Sequence, residues 1–247
     1  MAKFAHDSVM PDAHSSLEKK DQVARMFDDI SFRYDFLNRF LSLGIDQAWR
    51  RKALQTLKNF HPASLLDVAT GTGDIAIMAA KILKPKKIVG IDISNGMINI
   101  GKNKVAKKNL GSVIELQQGD SSNIKFSDDS FDAATVAFGV RNFQHLELGL
   151  KEIYRVLKPG GKIVILEFSK PQTPVIKQLY NFYMFRVSPF IGKLFSKNID
   201  AYKYLDASIK KFPEGNYFLQ IMNEAGFKNS SAKKLTFGIC SLYTAEK

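Results

Sequence analysis

The chain has 247 residues, 45% hydrophobic and 24% charged, an ordinary globular composition and long enough for one large α/β domain. A single cysteine, Cys240, excludes an internal disulfide, and with 4 histidines in all no metal site is expected. The net charge of +12 is dispersed over Lys81 to Lys87, Lys102 to Lys108, Lys193 to Lys211 and Lys228 to Lys234, which argues against a nucleic-acid arm and for a solvated lysine-rich surface, with weak attraction to anionic membranes as the alternative.

Met1 to Met10 lacks the apolar core of a signal peptide, and residues 1–16 read as a disordered, polar N-terminus. Residues 17–247 read as a single domain. Its first part, 17–60, is helical and rich in aromatics. Ser15 or Ser16 is placed to cap a helix starting near Leu17, with Glu18 and Asp21 favourable in the first turn. Apolar residues then recur at helical spacing (Val23, Phe27 and Ile30, then Phe36, Leu37, Phe40 and Leu41), and a third helix is predicted over 46–57.

From 61 to 170 strands and helices alternate. Strands are predicted over 64–68, 87–92, 112–117, 131–138 and 162–168. Between them lie helices over 74–83, from Ser94 as N-cap to Lys108, and over 144–157, the last closed by Lys158-Pro159-Gly160-Gly161. This is the spacing of βαβ units and predicts an α/β fold with a doubly wound, mostly parallel sheet. Over 171–212 the alternation stops in an aromatic helical insertion carrying Tyr180, Phe182, Tyr183, Phe185, Phe190, Phe195, Tyr202 and Tyr204. Its apolar stretch, Val175 to Phe195, is interrupted by Lys177, Arg186, Pro189 and Lys193 and is too broken to span a bilayer. The chain is therefore expected to be cytoplasmic. In 213–247 a helix over 216–225 precedes a strand from Phe227 and a last strand over 235–244; their short connection makes them antiparallel.

Open parallel sheets bind ligands at the carboxyl ends of their strands, where the unusual residues of this sequence fall. Strand one ends in Asp67-Val68-Ala69-Thr70-Gly71-Thr72-Gly73-Asp74. Gly71 and Gly73 allow a tight turn and close backbone approach. Asp92, about 20 residues on, is placed to accept ribose hydroxyls. Gly119-Asp120-Ser121 after strand three can meet an adenine amino group. Gly71 to Ala76 also fits the G-x-G-x-x-A dinucleotide fingerprint, a weak signal alone. Asp67 and Asp74 flank the glycines with negative charge, which disfavours a pyrophosphate and an NAD-dependent oxidoreductase but suits the sulfonium and ammonium of S-adenosylmethionine.

These features resemble the class I methyltransferases, and within them the quinone-ring C-methyltransferases that act on demethylmenaquinol and on a ubiquinone precursor. Tyr34-Asp35-Phe36-Leu37-Asn38, with Ser42 and Trp49, is similar to the first family signature, and Phe138-Gly139-Val140-Arg141-Asn142 to the central motif. The run Arg155 to Ser169 matches the second signature throughout; Tyr202-Lys203-Tyr204-Leu205, Ser208, Pro213 and Ala225-Gly226-Phe227 also fit. The chain departs from the pattern at Leu37, usually Met, at Asp46, usually His, at Gln144-His145, where an acid is common, and at Tyr243-Thr244-Ala245-Glu246-Lys247, in place of His-x-Gly-x-Lys.

The resemblance implies contacts to S-adenosylmethionine at Thr72, Asp92, Asp120 and Ser121, and a backbone contact at Ala137. It implies methyl transfer to a ring carbon of demethylmenaquinol in menaquinone biosynthesis. The acceptor is then an isoprenoid quinol drawn from the membrane, the insertion 171–212 a lid over it, and the protein peripheral at the inner face of the membrane. A ring carbon becomes nucleophilic when a neighbouring phenolic hydroxyl ionises, which at pH 7 costs about 4 kcal/mol from a pKa near 10. Arg141 and Asn142, just past strand four, are the candidate catalytic residues: the first holds the developing oxyanion and the second hydrogen-bonds it. Tyr34 and Asn38, one helical turn apart, are candidates to line the pocket. No base-flipping motif or basic-aromatic RNA module is present, so nucleic acid is not an expected partner.

Overall fold

In the computed structural model residues 4–182 and 199–247 are described, and they contain a seven-stranded sheet. Its strands are β1 (Ser64–Val68), β2 (Lys87–Asp92), β3 (Ile114–Gln118), β4 (Phe131–Ala137), β5 (Leu157–Phe168), β6 (Lys228–Leu235) and β7 (Cys240–Glu246). Their spatial order is β3-β2-β1-β4-β5-β7-β6. The first five run parallel, and β7 is antiparallel to both β5 and β6. Helices α1 (Lys19–Leu41), α2 (Ile45–Thr56), α3 (Asp74–Ile82), α4 (Asn95–Lys107), α5 (Leu146–Val156), α6 (Pro174–Phe182), α7 (Ile199–Lys211) and α8 (Asn216–Glu224) flank it. This is the doubly wound arrangement the alternation predicts.

Side-chain alternation builds the layers. Leu66, Val68, Val136, Ile163 and Ile165 pack with Leu146, Leu150 and Ile153 of α5 and Phe218 and Met222 of α8. Their strand neighbours Leu65, Ala133, Val164 and Leu166 join Trp49 and Leu54 of α2, Ile75 of α3 and Ile98 of α4 in a second cluster. Adjacent strand residues face opposite sides, so a sheet covered on both faces needs the near-continuous apolar runs seen here. The sheet order reverses between β1 and β4, and a crevice at such a switch point is the standard ligand position.

Several elements differ from expectation. Residues 17–60 hold two α-helices and a short 3-10 turn, not three α-helices. No Gly or Pro interrupts α1, and Gly44, at φ 77°, turns the chain into α2. The Lys158-Pro159-Gly160-Gly161 signal ends α5 but does not delay β5, which begins at Leu157. Gly160 at φ 75° and a register shift between Phe131 and Ala133 absorb the irregularity within the strand. Leu235 closes β6 instead of opening the last strand, because the chain turns at Thr236–Gly238.

Within the segment expected to be disordered, Phe4 and His6 are packed against the domain. Phe4 is 8% and His6 0% exposed, and the His6 ring lies edge-on to Phe212 with centroids 5.8 Å apart. Lys19 Nζ donates to the His6 carbonyl at 2.8 Å. Two anchoring rings in a polar segment make no periodic pattern, so they carry no signal in the sequence. Of the insertion 171–212, α6 and α7 are seen; Tyr183, Phe185, Phe190 and Phe195 lie outside the described residues.

The switch point leaves no room at Gly139. A Cβ there would sit 2.4 Å from the Ala69 Cβ, although the Gly139 backbone itself, at φ −114°, suits any residue. Gly139→Ala must push the β1 loop aside and is expected to cost about 1–3 kcal/mol of stability, read by denaturant unfolding. Unchanged stability would show that the Ala69 turn yields freely.

Candidate functional site

A cavity of about 650 Å³, counting its open mouth, lies at this crevice. Val68, Ala69 and Gly71 after β1, Asp92 and Ile93 after β2, and Gly119 and Ser121 after β3 form one part of its lining. Ala137, Phe138, Gly139, Asn142, Phe143 and Gln144 after β4 form another. Lys20, Val23, Phe27 and Tyr34 of α1 and Met97 of α4 complete it.

The predicted site residues separate into those that line the cavity and those that hold its walls. Gly71, Asp92, Ser121 and Asn142 line it. Asp92 Oδ2 accepts from the Gly71 amide at 2.8 Å and Oδ1 from the Ser94 amide at 2.9 Å. Burial pushes its carboxyl up to about 6, against the pull of those amide donors. Asp67 does not line the cavity. It is 1% exposed, and its two oxygens accept from Thr70 Oγ1 at 2.6 Å and Thr135 Oγ1 at 2.7 Å. It thereby ties the glycine turn to β4. Burial also pushes its carboxyl up to about 6, with the two threonines opposing.

Thr72 and Gly73 turn away from the cavity lining. Thr72 Oγ1 donates to Asp35 Oδ1 at 2.6 Å and accepts from Lys104 Nζ at 3.0 Å. Gly73, at φ 78°, precedes α3. Asp74, read as an acid beside the cofactor, is instead ion-paired with Lys104 and lies 3.9 Å from Arg39. Asp120 stands at the rim, with Oδ1 accepting from the Ser122 amide at 2.8 Å and Oδ2 lying 3.9 Å from Lys20 Nζ.

The other end of the cavity is held by buried charge. Arg141 is 6% exposed and pairs at 2.7 Å with Glu167 Oε1 at the end of β5; Glu167 Oε2 also accepts from the Arg141 amide at 3.2 Å. Arg141 is therefore neither a surface residue nor part of the lining, and its Nε is buried with no hydrogen-bond partner among the described residues. Asn142 Oδ1 accepts from Tyr204 Oη of α7 at 3.1 Å. Burial pushes the Tyr204 hydroxyl well above its ordinary value, so it remains a donor. Burial likewise raises Tyr34, with Arg50 opposing, and Tyr34 is hydrogen-bonded to Asn38.

Motif reading missed Glu167, Tyr204 and Arg50 as site residues. Arg50 of α2 is 7% exposed, pairs with Asp46 at 3.4 Å and lies 5.2 Å over the Phe138 ring. Phe138 stacks on Phe168 at 4.6 Å, and Arg141 lies 5.4 Å over Phe168. The Glu at the end of the long second signature was a visible signal, since a carboxylate inside an apolar strand run needs a cation. Nothing local marks Arg50.

The raised carboxyls have a consequence for stability. Asp67 ionises near 3.8 when exposed and near 6 when folded. Its protonated form favours the fold, so its contribution is full below about pH 3.8 and is lost as pH rises through 6. Asp67→Asn, which cannot titrate, is expected to remove up to about 3 kcal/mol of the wild-type fall in unfolding free energy between pH 4 and pH 7. Parallel wild-type and variant curves from denaturant melts across this range would refute the burial account.

Comparison with known proteins places the chain. Residues 15–247 match the ubiE/COQ5 methyltransferase family. A demethylmenaquinone methyltransferase of Bacteroides fragilis is 50% identical over 99% of both chains. A ubiquinone/menaquinone biosynthesis C-methyltransferase UbiE of Geotalea daltonii is 50% identical over 93% of this chain and 98% of its own. In fold the chain is similar to a SAM-dependent methyltransferase of Thermotoga maritima, at TM-score 0.61 and 20% identity over 90% and 99% of the two chains. It is also similar to a Haemonchus contortus phosphoethanolamine N-methyltransferase bound to S-adenosyl-L-methionine, at TM-score 0.59 and 16% identity over 79% and 52%. The chain belongs to the ubiE/COQ5 methyltransferase family.

Proposed function

We propose that the chain transfers a methyl group from S-adenosylmethionine to a ring carbon of demethylmenaquinol in menaquinone biosynthesis. The observation that carries this is its full-length likeness to the Bacteroides fragilis enzyme of that name. The name of the Geotalea daltonii relative makes a ubiquinone precursor the second acceptor to test.

The cavity fits the donor. Its lining combines apolar side chains with a few polar groups, as small-ligand sites do. Asp92 accepts from the Gly71 and Ser94 amides, with a lesser contribution from Ile93, and a carboxylate's four lone pairs leave capacity for a ribose hydroxyl. Ser121 lines the cavity and Asp120 precedes it in the same loop, so both are assigned to the adenine amino group, with Gly71 and Ala137 bordering the rest of the cavity. When bound, S-adenosylmethionine supplies an electrophilic methyl group on a sulfonium.

The chain's own work on the acceptor is electrostatic. The Asn142 oxygen is engaged by Tyr204, so its Nδ2 donors are left for a ring oxygen of the acceptor. As charge develops on that oxygen a donor already fixed in place stabilises it without reorganisation. Arg141 adds a buried cation next to Asn142, anchored by Glu167 and with Nε unengaged. The quinol arrives from a bilayer. Among the described residues no helix is long and apolar enough to cross a membrane. Phe32, Leu43 and Phe237, at 70%, 80% and 74% exposed, offer apolar contacts for peripheral docking.

The deciding assay is labelled-methyl transfer from S-adenosylmethionine to demethylmenaquinol, with the benzoquinol precursor alongside and calorimetric titration of donor and of NAD. Transfer to the naphthoquinol and binding of the donor are expected; tighter binding of NAD, or no transfer to either quinol, overturns the proposal. Asn142→Ala should lower kcat about 10²-fold with donor affinity unchanged. Equal loss of donor affinity would place Asn142 at the cofactor instead.

A further inference from the structure

Among the described residues, no side chain of α1 belongs to either main apolar cluster. Its described buried apolar side chains, Val23 and Met26, form a small separate cluster with Tyr204, flanked by Val9, Phe27 and Ile93. What fastens α1 along the donor side of the cavity is polar. Asp28 Oδ1 accepts from Ser94 Oγ at 2.6 Å and from the Gly96 amide at 2.8 Å, at the start of α4. Asp35 accepts from Thr72 Oγ1 at 2.6 Å and from Lys104 Nζ at 2.8 Å. At the other end of the helix the Lys20 amide donates to Gln144 Oε1 at 3.0 Å.

The two acids are two helical turns apart, and each follows an aromatic residue, Phe27 or Tyr34, that lines the cavity. One stripe of α1 therefore walls the cavity while the adjacent stripe grips the loops after β1 and β2. Those loops carry Gly71 and Asp92, the groups assigned above to the donor. Among its described side chains α1 has little apolar anchorage; two short charge-assisted attachments hold it, with longer pairs of Lys20 to Asp120 and Arg39 to Asp74 at 3.9 Å, and such a unit opens locally without global unfolding.

We infer that α1 is the lid of the donor cavity and that Asp28 and Asp35 are its clasps, positioning residues whose release sets how fast S-adenosylmethionine and its demethylated product exchange. This holds if the cavity takes that donor, as proposed above. Lys104 is then the strut of the second clasp, held by Asp35, Thr72 and Asp74 together.

The first clasp can be made covalent. A Cβ on Gly96 would lie 3.2 Å from the Asp28 Cα and 3.0 Å from Ser31 Oγ, so the pair Asp28→Cys and Gly96→Cys is within disulfide reach once α1 gives by roughly a few tenths of an ångström, and Cys240 is buried and does not compete. Labelled S-adenosylmethionine is bound first, the pair is oxidised, and dissociation is followed by rapid filtration. Dissociation at least about tenfold slower when oxidised than after reduction is expected, the equivalent of one added strong attachment. Equal rates in the two states overturn the lid. Asp35→Asn is the second test, and does not depend on forming the disulfide: it weakens the Lys104 contact and should speed dissociation about tenfold, with maximal turnover per bound donor less affected than donor affinity. An unchanged dissociation rate refutes the clasp. Failure of the wild type to retain labelled donor at all is a different result, and refutes the donor assignment itself.

Discussion

One buried carboxylate organises the cavity. Asp92 terminates β2, and its two oxygens accept amides from Gly71 and Ser94, on two different loops. Through it a single side chain ties the glycine turn after β1 to the entry to α4. The arrangement costs free energy, since burial disfavours the ionised form, and the paired amides only partly offset this. A structural residue would seldom be left in that position. A carboxylate that is desolvated, incompletely satisfied and exposed to a cavity on one side is poised to gain by binding hydroxyl donors. The tension at Asp92 is thus what makes it useful in the proposed function.

Asp67 shows the same physics with a different outcome. It is also buried and pushed up, but both of its oxygens are filled by Thr70 and Thr135. The two acids look equivalent in the sequence, each closing a strand next to a loop. Partner geometry alone separates them: Asp67 steadies the turn, and Asp92 faces the cavity. The core strands were legible because a doubly covered parallel sheet demands uninterrupted apolar runs, as in Ser64–Val68 and Lys87–Asp92. The site was legible only to the level of which loops form it. Whether Thr72 faces a ligand or Lys104 depends on a contact with α4 that no local pattern encodes.

Three departures from the family pattern, at Asp46, Gln144 and Tyr243, are accommodated by their neighbours. Asp46, where His is usual, accepts from Ser42 Oγ at 2.8 Å and gives Arg50 its carboxylate partner. Gln144, where an acid is common, accepts from the Lys20 amide and donates to Glu18 Oε2 at 3.3 Å. A carboxylate at that position could do the first but would repel Glu18. Tyr243 buries its ring at 4.7 Å from Phe218 and accepts from the Gly215 amide at 3.0 Å. Of the three, Gln144 belongs to the cavity lining, and Asp46 and Tyr243 lie outside it.

The two halves of the cavity are built on opposite principles, and this bears on the proposed chemistry. The donor half is made of loop backbone and single carboxylates, with α1 held across it by hydrogen bonds that water can replace. On the side proposed for the acceptor, two buried ion pairs behind the lining, Arg50 with Asp46 and Arg141 with Glu167, bracket the packed rings of Phe138 and Phe168. A buried pair broken on one side leaves an uncompensated charge, so neither arginine moves cheaply. Methyl transfer to carbon asks for this division. The charge on the acceptor must meet groups that are already oriented, because reorganising them would add to the barrier. The donor, replaced at every turnover, needs a wall that can open.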